Sequence, residues 1–201
     1  MPSDSRGDTS LFLQAAIDGD RDSLSWLVAH LSPLLLAQAR WRLGANLART
    51  CDPEDLVQEA WLVALPRLRE LRPRDGRATP VLLRFLATTI LNRVNNLARD
   101  ALRRGTTGAT DPAAIDPSDE RTGVVTAAVR AEQRRQLLTT IDALDPIDRD
   151  VLLLRGVEQR SQATTGELLG IEGAAVAMRF SRALGRLRDH LPGSLLDDLA
   201  S

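Results

Sequence analysis

The stretch DPEDLVQEAW, residues 52–61, carries four carboxylates in its first eight positions and no base. Between positions 67 and 104, ten arginines stand against three acids, Glu70, Asp75 and Asp100. Carboxylates gathered on one helix can pair with the cationic side chains of a partner. Arginine suits phosphate, which its planar fork binds through two bonds at once. Along 81–104 the residues Arg84, Thr88, Asn92, Asn95, Arg99 and Arg103 recur every three or four positions and so share one helical stripe. Arg84, Arg93, Arg99, Arg103 and Arg104 can neutralise phosphates. Asn92, Asn95 and Asn96 can donate and accept at base edges, adenine above all. The sorting of charge points to two partners, one positive and one built of phosphate.

Catalytic chemistry lacks its parts. The chain has no glycine-rich phosphate loop. His30, His190 and Cys51 are too few for a four-ligand zinc site, and neither histidine sits in a nucleophile motif. The expectation is a protein that is not an enzyme and needs no metal or cofactor. One cysteine excludes an internal disulfide and fits a reducing compartment. The start, MPSDSRGDTS, lacks the basic and apolar runs of a signal peptide. The most apolar stretch, WLVAHLSPLLLAQA, contains His30, Ser32 and Pro33 and is too short to cross a bilayer. A cytoplasmic, unanchored protein is expected. The 201 residues allow one domain or two small ones, and 43% hydrophobic with 26% charged residues describes an ordinary globular chain. A formal net charge of −1 does not itself favour nucleic acid, but the sum hides segments of opposite sign.

The elements that would position these residues are helices throughout, since no segment shows sustained strand alternation. Two apolar-striped segments cover 10–48, broken near DGDRDS and softened at Pro33. The acidic helix starts at Asp52 as N-cap, with Pro53 at its first position and Glu54 and Asp55 in the positive first turn. Leu56, Val57, Ala60, Trp61, Ala64 and Leu65 form its buried stripe, and Pro66 ends or kinks it. A loop with Pro73, Gly76 and Pro80 leads to the helix over 81–104. Its apolar side holds Leu82, Phe85, Leu86, Ile90, Val94, Leu97 and Ala101. Trp26, Trp41, Trp61 and Phe85 are read as core. Gly, Thr, Asp and Pro dominate from Gly105 to about Thr126 and predict a linker. Helices then follow near 127–143, 146–154, 161–169 and 172–191. The last pair, joined by a turn at Gly170, has the spacing of a helix-turn-helix. Residues after Leu191 are read as a short tail, too brief for a further regulatory domain.

The segment LLLRGVEQRSQATTGELLGIEGAAVAMRFSRALGRLRDHL resembles the promoter-reading C-terminal domain of bacterial sigma factors of the extracytoplasmic-function (ECF) type, in the sigma-70 family. Leu169, Gly170, Val176, Arg179, Arg182, Ala183, Leu187 and Arg188 carry the likeness, with Leu144, Pro146, Arg149 and Arg155 in the helix before it. DPEDLVQEAWLVAL resembles that family's polymerase-docking helix, and RFLATTILNRVNNLARDALRRG its minus-ten helix. The resemblance spans about 11–191, with a linker where the family has one. The chain departs from the pattern in the turn helix, where Ser161 is followed by Thr164, Thr165 and Gly166 in place of Glu, Ile and Ala. The missing Glu removes a capping or phosphate-orienting contact, and Gly166 costs about 1 kcal/mol of helix propensity. Glu172 stands where a Ser N-cap is usual, and Ala177 where a base is common.

The resemblance implies an all-α protein of two small helical domains joined by a flexible linker: 10–104, linker 105–126, and a helix-turn-helix domain 127–192. It implies a promoter-specific initiation factor that binds core RNA polymerase, reads minus-ten and minus-thirty-five promoter elements and assists strand opening. Glu54, Asp55, Gln58 and Glu59 would meet the polymerase. Arg72, Arg74, Asp75, Arg77, Arg84, Thr88, Asn92, Arg93, Asn95, Asn96, Arg99 and Arg103 would serve the minus-ten region. Ala174, Ala175, Arg179, Arg182 and Arg186 would serve the minus-thirty-five duplex. An anti-sigma factor is a further expected kind of partner; a membrane is not. Two other readings compete: a helix-turn-helix regulator that acts without core polymerase, and a sigma-derived protein-interaction module.

Overall fold

The computed structural model describes residues 9–104 and 124–200. All secondary structure among them is helical, apart from one isolated bridge between Arg74 and Arg77. Helix α1 (Thr9–Ile17) leads through a tight turn to α2 (Arg21–Leu47), which Asp20 caps by accepting the Ser23 N–H at 2.9 Å. Hydrogen bonds from Ser23 hold the Asp20 carboxyl below its ordinary range. Pro33 lies inside α2 without ending it, and every residue from Pro33 to Ala39 is buried. A helix apolar on all sides belongs in an interior. Accordingly α1 and the next two α-helices of the first half pack against α2, and so do the first helix and a π-helical turn of the second half.

Helix α3 (Pro53–Ala64) forms as its sequence dictates. Asp52 accepts the Glu54 N–H at 2.9 Å, Pro53 opens the helix, and Leu56, Val57, Ala60, Trp61 and Ala64 are buried. Leu65, expected in that stripe, is exposed, because the chain tightens at Pro66 into a 3-10 turn (Leu65–Glu70) that rotates it outward. Helix α4 (Thr79–Arg104) buries Leu82, Leu86, Ile90 and Val94, with Phe85 and Leu97 half-buried. Ala101 was expected on this face but is exposed. Residues 99–103 are all exposed, so α4 outruns the helices that cover its start.

Of the expected linker, residues 105–123 lie outside the described residues, and α5 (Val124–Asp142) begins just before the expected boundary. Asp145 caps α6 (Pro146–Val151) by accepting the Ile147 N–H at 3.0 Å. The chain continues as a π-helical turn (Leu152–Val157), whose wider winding accounts for the break expected near Gly156. Helices α7 (Gln162–Leu169) and α8 (Gly173–Leu187) form the helix-turn-helix around Gly170, whose φ of 66° is left-handed. The α7 cap survives the family departure: Ser161 Oγ accepts the Thr164 N–H at 3.0 Å and lies 2.8 Å from the Thr164 hydroxyl. Glu172, by contrast, caps α8 with no side-chain hydrogen bond. The chain then forms one helix more than expected, α9 (Gly193–Ala200), with Leu195 and Leu199 buried. Buried residues of both halves join one hydrophobic cluster.

Gly166 is a close-approach position. The Ile171 N–H donates to the Gly166 carbonyl at 3.0 Å, and a Cβ on Gly166 would lie 2.7 Å from the Ile171 carbonyl oxygen. Propensity alone makes Gly166→Ala stabilising by about 1 kcal/mol; overpacking against backbone reverses the sign. The substitution is expected to lower stability by about 1–3 kcal/mol, read as a fall in Tm. A rise would show that the turn relaxes without strain.

Candidate nucleic-acid interface and acidic docking face

Helix α3 turns its carboxylates to the surface because its apolar stripe is committed to α2 and α4. Glu54, Asp55 and Glu59 are exposed and Gln58 is half-buried. Glu54 pairs with Arg134 of α5 at 2.6 Å, and Glu59 with Arg93 of α4 at 3.1 Å. Leu62, one turn beyond Gln58 and Glu59, is 64% exposed. This leucine gives the acidic face an apolar knob. Sequence reading missed it, although its absence from the buried stripe was the available signal. Cys51, beside this face, is half-buried, and burial pushes its thiol above the ordinary range. A protonated thiol there is a poor nucleophile.

On α4 the expected polar stripe is real as geometry. Arg84, Thr88, Asn92, Asn95, Asn96, Arg99 and Arg103 are all exposed, along the full length of the helix. Arg93 is also exposed, but it turns to Glu59 and so lies beside the acidic face. The preceding loop is more ordered than its composition suggested. Arg74 and Arg77 exchange two backbone hydrogen bonds of 2.9 Å around Asp75 (φ 51°) and Gly76 (φ 77°). Two left-handed central residues make a primed turn, which Asp-Gly favours. A directly opposed pair projects both side chains to one side, so the turn presents two guanidinium groups together. Arg72 is exposed just before it.

The turn forms one wall of a cleft of about 1190 Å³. Arg74, Arg77, Arg84, Phe85 and Thr88 line it from the first half, and Arg155, Arg160 and Ser161 from the second. Five arginines against Asp75 make its walls cationic. Phe85, read as core, is half-buried and borders this cleft, with the Arg67 guanidinium 6.0 Å from its ring centre. It is therefore placed where a base could stack. Arg160 was not singled out in the sequence, and Arg155 only as part of the family likeness, because their place in this cleft depends on the packing of one half on the other.

Helix α8 divides its arginines between folding and surface. Val176, Phe180, Ala183 and Leu187 are buried. Arg179 donates to Asp148 at 2.7 Å and lies 3.5 Å from Asp145; Arg182 reaches the other oxygen of Asp148 at 3.2 Å. Asp148 is 2% exposed, so this carboxylate ties α6 to α8. The Arg179 side chain is only 27% exposed, whereas Arg182 keeps 55%. Arg186 and Ala174 are exposed and Ala175 is half-buried. The rest of the outward surface is small or apolar: Ala177, Met178, Ser181 and Gly185.

Comparison with known proteins places this arrangement. The family described as Sigma-70, region 4 matches residues 134–187. The ECF RNA polymerase sigma factor ShbA of Streptomyces griseus is 30% identical over 179 residues, covering 86% of this chain and 90% of ShbA. The ECF RNA polymerase sigma factor SigD of Mycobacterium tuberculosis is 28% identical over 181 residues, covering 88% of this chain and 80% of SigD. The solved structure of CnrH in complex with the cytosolic domain of CnrY covers 90% of this chain and 95% of its own at 22% identity. Its TM-score of 0.37 is too low to carry an argument about this chain. The chain belongs to the ECF RNA polymerase sigma factors of the sigma-70 family.

The division of arginines on α8 has a measurable consequence. Arg179→Ala leaves buried Asp148 with one partner fewer and is expected to cost about 1–3 kcal/mol, visible in urea unfolding. Arg186→Ala, at an exposed site, should change stability by no more than about 0.5 kcal/mol and weaken duplex binding instead. Equal and small effects on stability would return Arg179 to the list of dedicated DNA contacts.

Proposed function

We propose that the protein is a promoter-specific transcription initiation factor that joins core RNA polymerase, reads two promoter elements and helps to open the duplex. The observation that carries this reading is the α4 surface: Arg84, Thr88, Asn92, Asn95, Arg99 and Arg103 stay exposed over about five turns while Leu82, Leu86, Ile90 and Val94 anchor the opposite side. Family membership supports the same assignment. The first half, residues 10–104, is taken as the polymerase-docking and minus-ten unit, and 127–192 as the minus-thirty-five unit, with the linker between them.

In this reading Glu54, Asp55, Gln58 and Glu59, joined by Leu62, bind a cationic element of the polymerase. Arg72, Arg74, Asp75 and Arg77 hold a base taken from the opened strand, and Phe85 offers it a stacking surface. Taking a base out of the stack costs a few kcal/mol, and stacking on an aromatic ring offsets about 1–3 kcal/mol of that. Asn92, Asn95 and Asn96 read base edges, while Arg84, Arg99 and Arg103 neutralise phosphates. On α8, Ala174, Ala175, Arg182 and Arg186 approach the upstream duplex, with Arg179 setting the helix in place. Any bond-making chemistry belongs to the polymerase. The setting is cytoplasmic, where polymerase and promoter are found, and an anti-sigma factor is a fitting regulatory partner. Among the described residues no helix is long and apolar enough to cross a membrane.

Run-off transcription with purified core polymerase tests the reading, since a regulator acting alone would give no transcript. Within that assay, reversing Asp55 and Glu59 to Arg should abolish polymerase binding with helix content intact; unaltered affinity would refute the docking face. Replacing Asn92 and Asn95 by Ala should alter base preference at the opened element, and an unchanged promoter profile would remove them from base reading.

A further inference from the structure

The cleft beside the primed turn concentrates a charge that the chain as a whole does not have. Over its full length the protein carries a formal net charge of −1. The lining of the cleft holds five arginines and one carboxylate, Asp75, a formal charge of +4. Arg74, Arg77 and Arg84 come from the primed turn and the start of α4, Arg155 and Arg160 from the π-helical turn and the segment after it. A backbone reversal brings the second pair together. Gln159, also in the lining, is held at φ 53°, a left-handed conformation costly for a residue other than glycine. The Arg160 N–H then returns to the Leu154 carbonyl at 3.0 Å. Two arginines five positions apart in sequence thereby reach the same cavity.

The carboxylates nearby do not neutralise this charge. Asp75 lies 3.8 Å from Arg74, and both side chains are largely exposed, where such a pair contributes little. Arg77 is 3.8 Å from Asp198, beyond hydrogen-bond reach. Arg160 is 3.4 Å from Glu158, but both oxygens of Glu158 already accept Arg42 at 2.7 Å each. Among the described residues Arg84 and Arg155 form no ion pair; Arg155 stands over the Phe180 ring, 5.4 Å from its centre, which leaves its charge in place. A concave surface of one sign, with Pro80, Val81 and Phe85 as apolar lining, focuses its field and raises the local concentration of counter-ions.

Size and charge select the occupant. The volume of about 1190 Å³ stands just above the roughly 300–1,000 Å³ of ordinary small-molecule sites. Such a space admits a small molecule and not a duplex, whose major groove alone is about 12 Å wide. Guanidinium groups bind phosphate oxygens two at a time, and their origin in both halves calls for an anion charged at more than one point. Linked phosphates meet that demand, and a lone carboxylate does not. We propose that the cleft is a binding site for a small polyphosphate ligand, a nucleotide or a free polyphosphate, held between Arg74, Arg77 and Arg84 from the first half and Arg155 and Arg160 from the second. Phe85, half-buried at the border, is placed to receive a base where the ligand carries one. The site stands apart from the promoter reading, although ligand and DNA would compete for the three arginines of the first half.

Titration calorimetry on the full chain, without DNA, polymerase or divalent cations, tests the site. The probes are tripolyphosphate, ATP, inorganic phosphate and a short single-stranded oligonucleotide. Tripolyphosphate and ATP are expected to saturate one site per chain and to bind about tenfold or more tighter than phosphate. Arg84→Ala and Arg160→Ala should each weaken that binding about tenfold, with helix content by circular dichroism unchanged. Arg49→Ala removes the same charge at an exposed position outside the cleft and should leave the Kd within about twofold. Arg160→Ala decides if Arg84→Ala disturbs the fold. Tighter binding of ATP than of tripolyphosphate assigns a nucleotide, and equal binding assigns a free polyphosphate. No saturable binding of either, or the same effect from all three substitutions, overturns the proposal. Saturable binding of the oligonucleotide alone also overturns it, giving the cleft to the opened strand and leaving the function proposed above intact.

Discussion

Helix α2 must be covered on every side, and most of the architecture follows from that need. The seven residues from Pro33 to Ala39 are all buried. No single neighbour can cover two full turns all round, so α2 collects α1, α3 and α4 on its own half and α5 with the π-helical turn from the other. Once the interior is committed in this way, α3 and α4 present mainly polar sides outward, with Leu62 and Leu102 as exposed apolar exceptions. The acidic face and the cationic stripe are therefore consequences of one apolar axis. Gln38, the one polar residue within the seven, is where that axis meets the other half. A buried amide is costly unless hydrogen-bonded; the Gln38 NH2 group finds acceptors in both Ala87 and Glu158, while its Oε1 has no partner among the described residues.

What the sequence made legible lies within single elements. The α3 start could be read from Asp52, Pro53, Glu54 and Asp55 because capping and dipole effects act within one turn of the residues that cause them. The α4 stripe was legible for the same reason: helical periodicity is local. The primed turn was within reach, since Asp75-Gly76 between two arginines is a strong turn signal, but the lack of flanking strands left it read as a loop. Helix α9 was missed because its eight residues offer too little periodicity to separate a docked helix from a tail. Leu195, Leu196 and Leu199 were its only cue.

Relations between elements were not legible, and each has a physical reason. Arg179 and Arg186 are identical in type and lie seven residues apart, on the same side of α8, yet one is drawn to buried Asp148 and the other is exposed. Only the approach of α6 distinguishes them. Arg93 likewise belongs by number to the cationic helix and by contact to the acidic one. Phe85 was assigned to the core on composition, whereas its border with the cleft depends on where the second half comes to rest. Gly166 was priced by propensity, a property of one helix, when its cost is set by the next turn of chain.

If the second half reads DNA as proposed, the use of arginine for folding limits how it can do so. With Arg179 and part of Arg182 committed to Asp148, the outward surface of α8 offers Ala174, Ala177, Met178, Ser181 and Gly185 toward a groove. Such side chains supply few hydrogen-bond donors; their contribution is close approach and apolar contact, of the kind that reads a thymine methyl. Arg186 and Arg188, exposed at the far end, serve phosphate more readily than bases. On the proposed function, affinity in this half would come mainly from charge and depend steeply on salt, while discrimination would come from fit. The Asn and Arg stripe of α4 has the opposite balance, with amides placed for base edges between arginines placed for the backbone. On the proposed function, sequence discrimination by hydrogen bonding would be concentrated in the first half, and the second half would act chiefly as an upstream anchor.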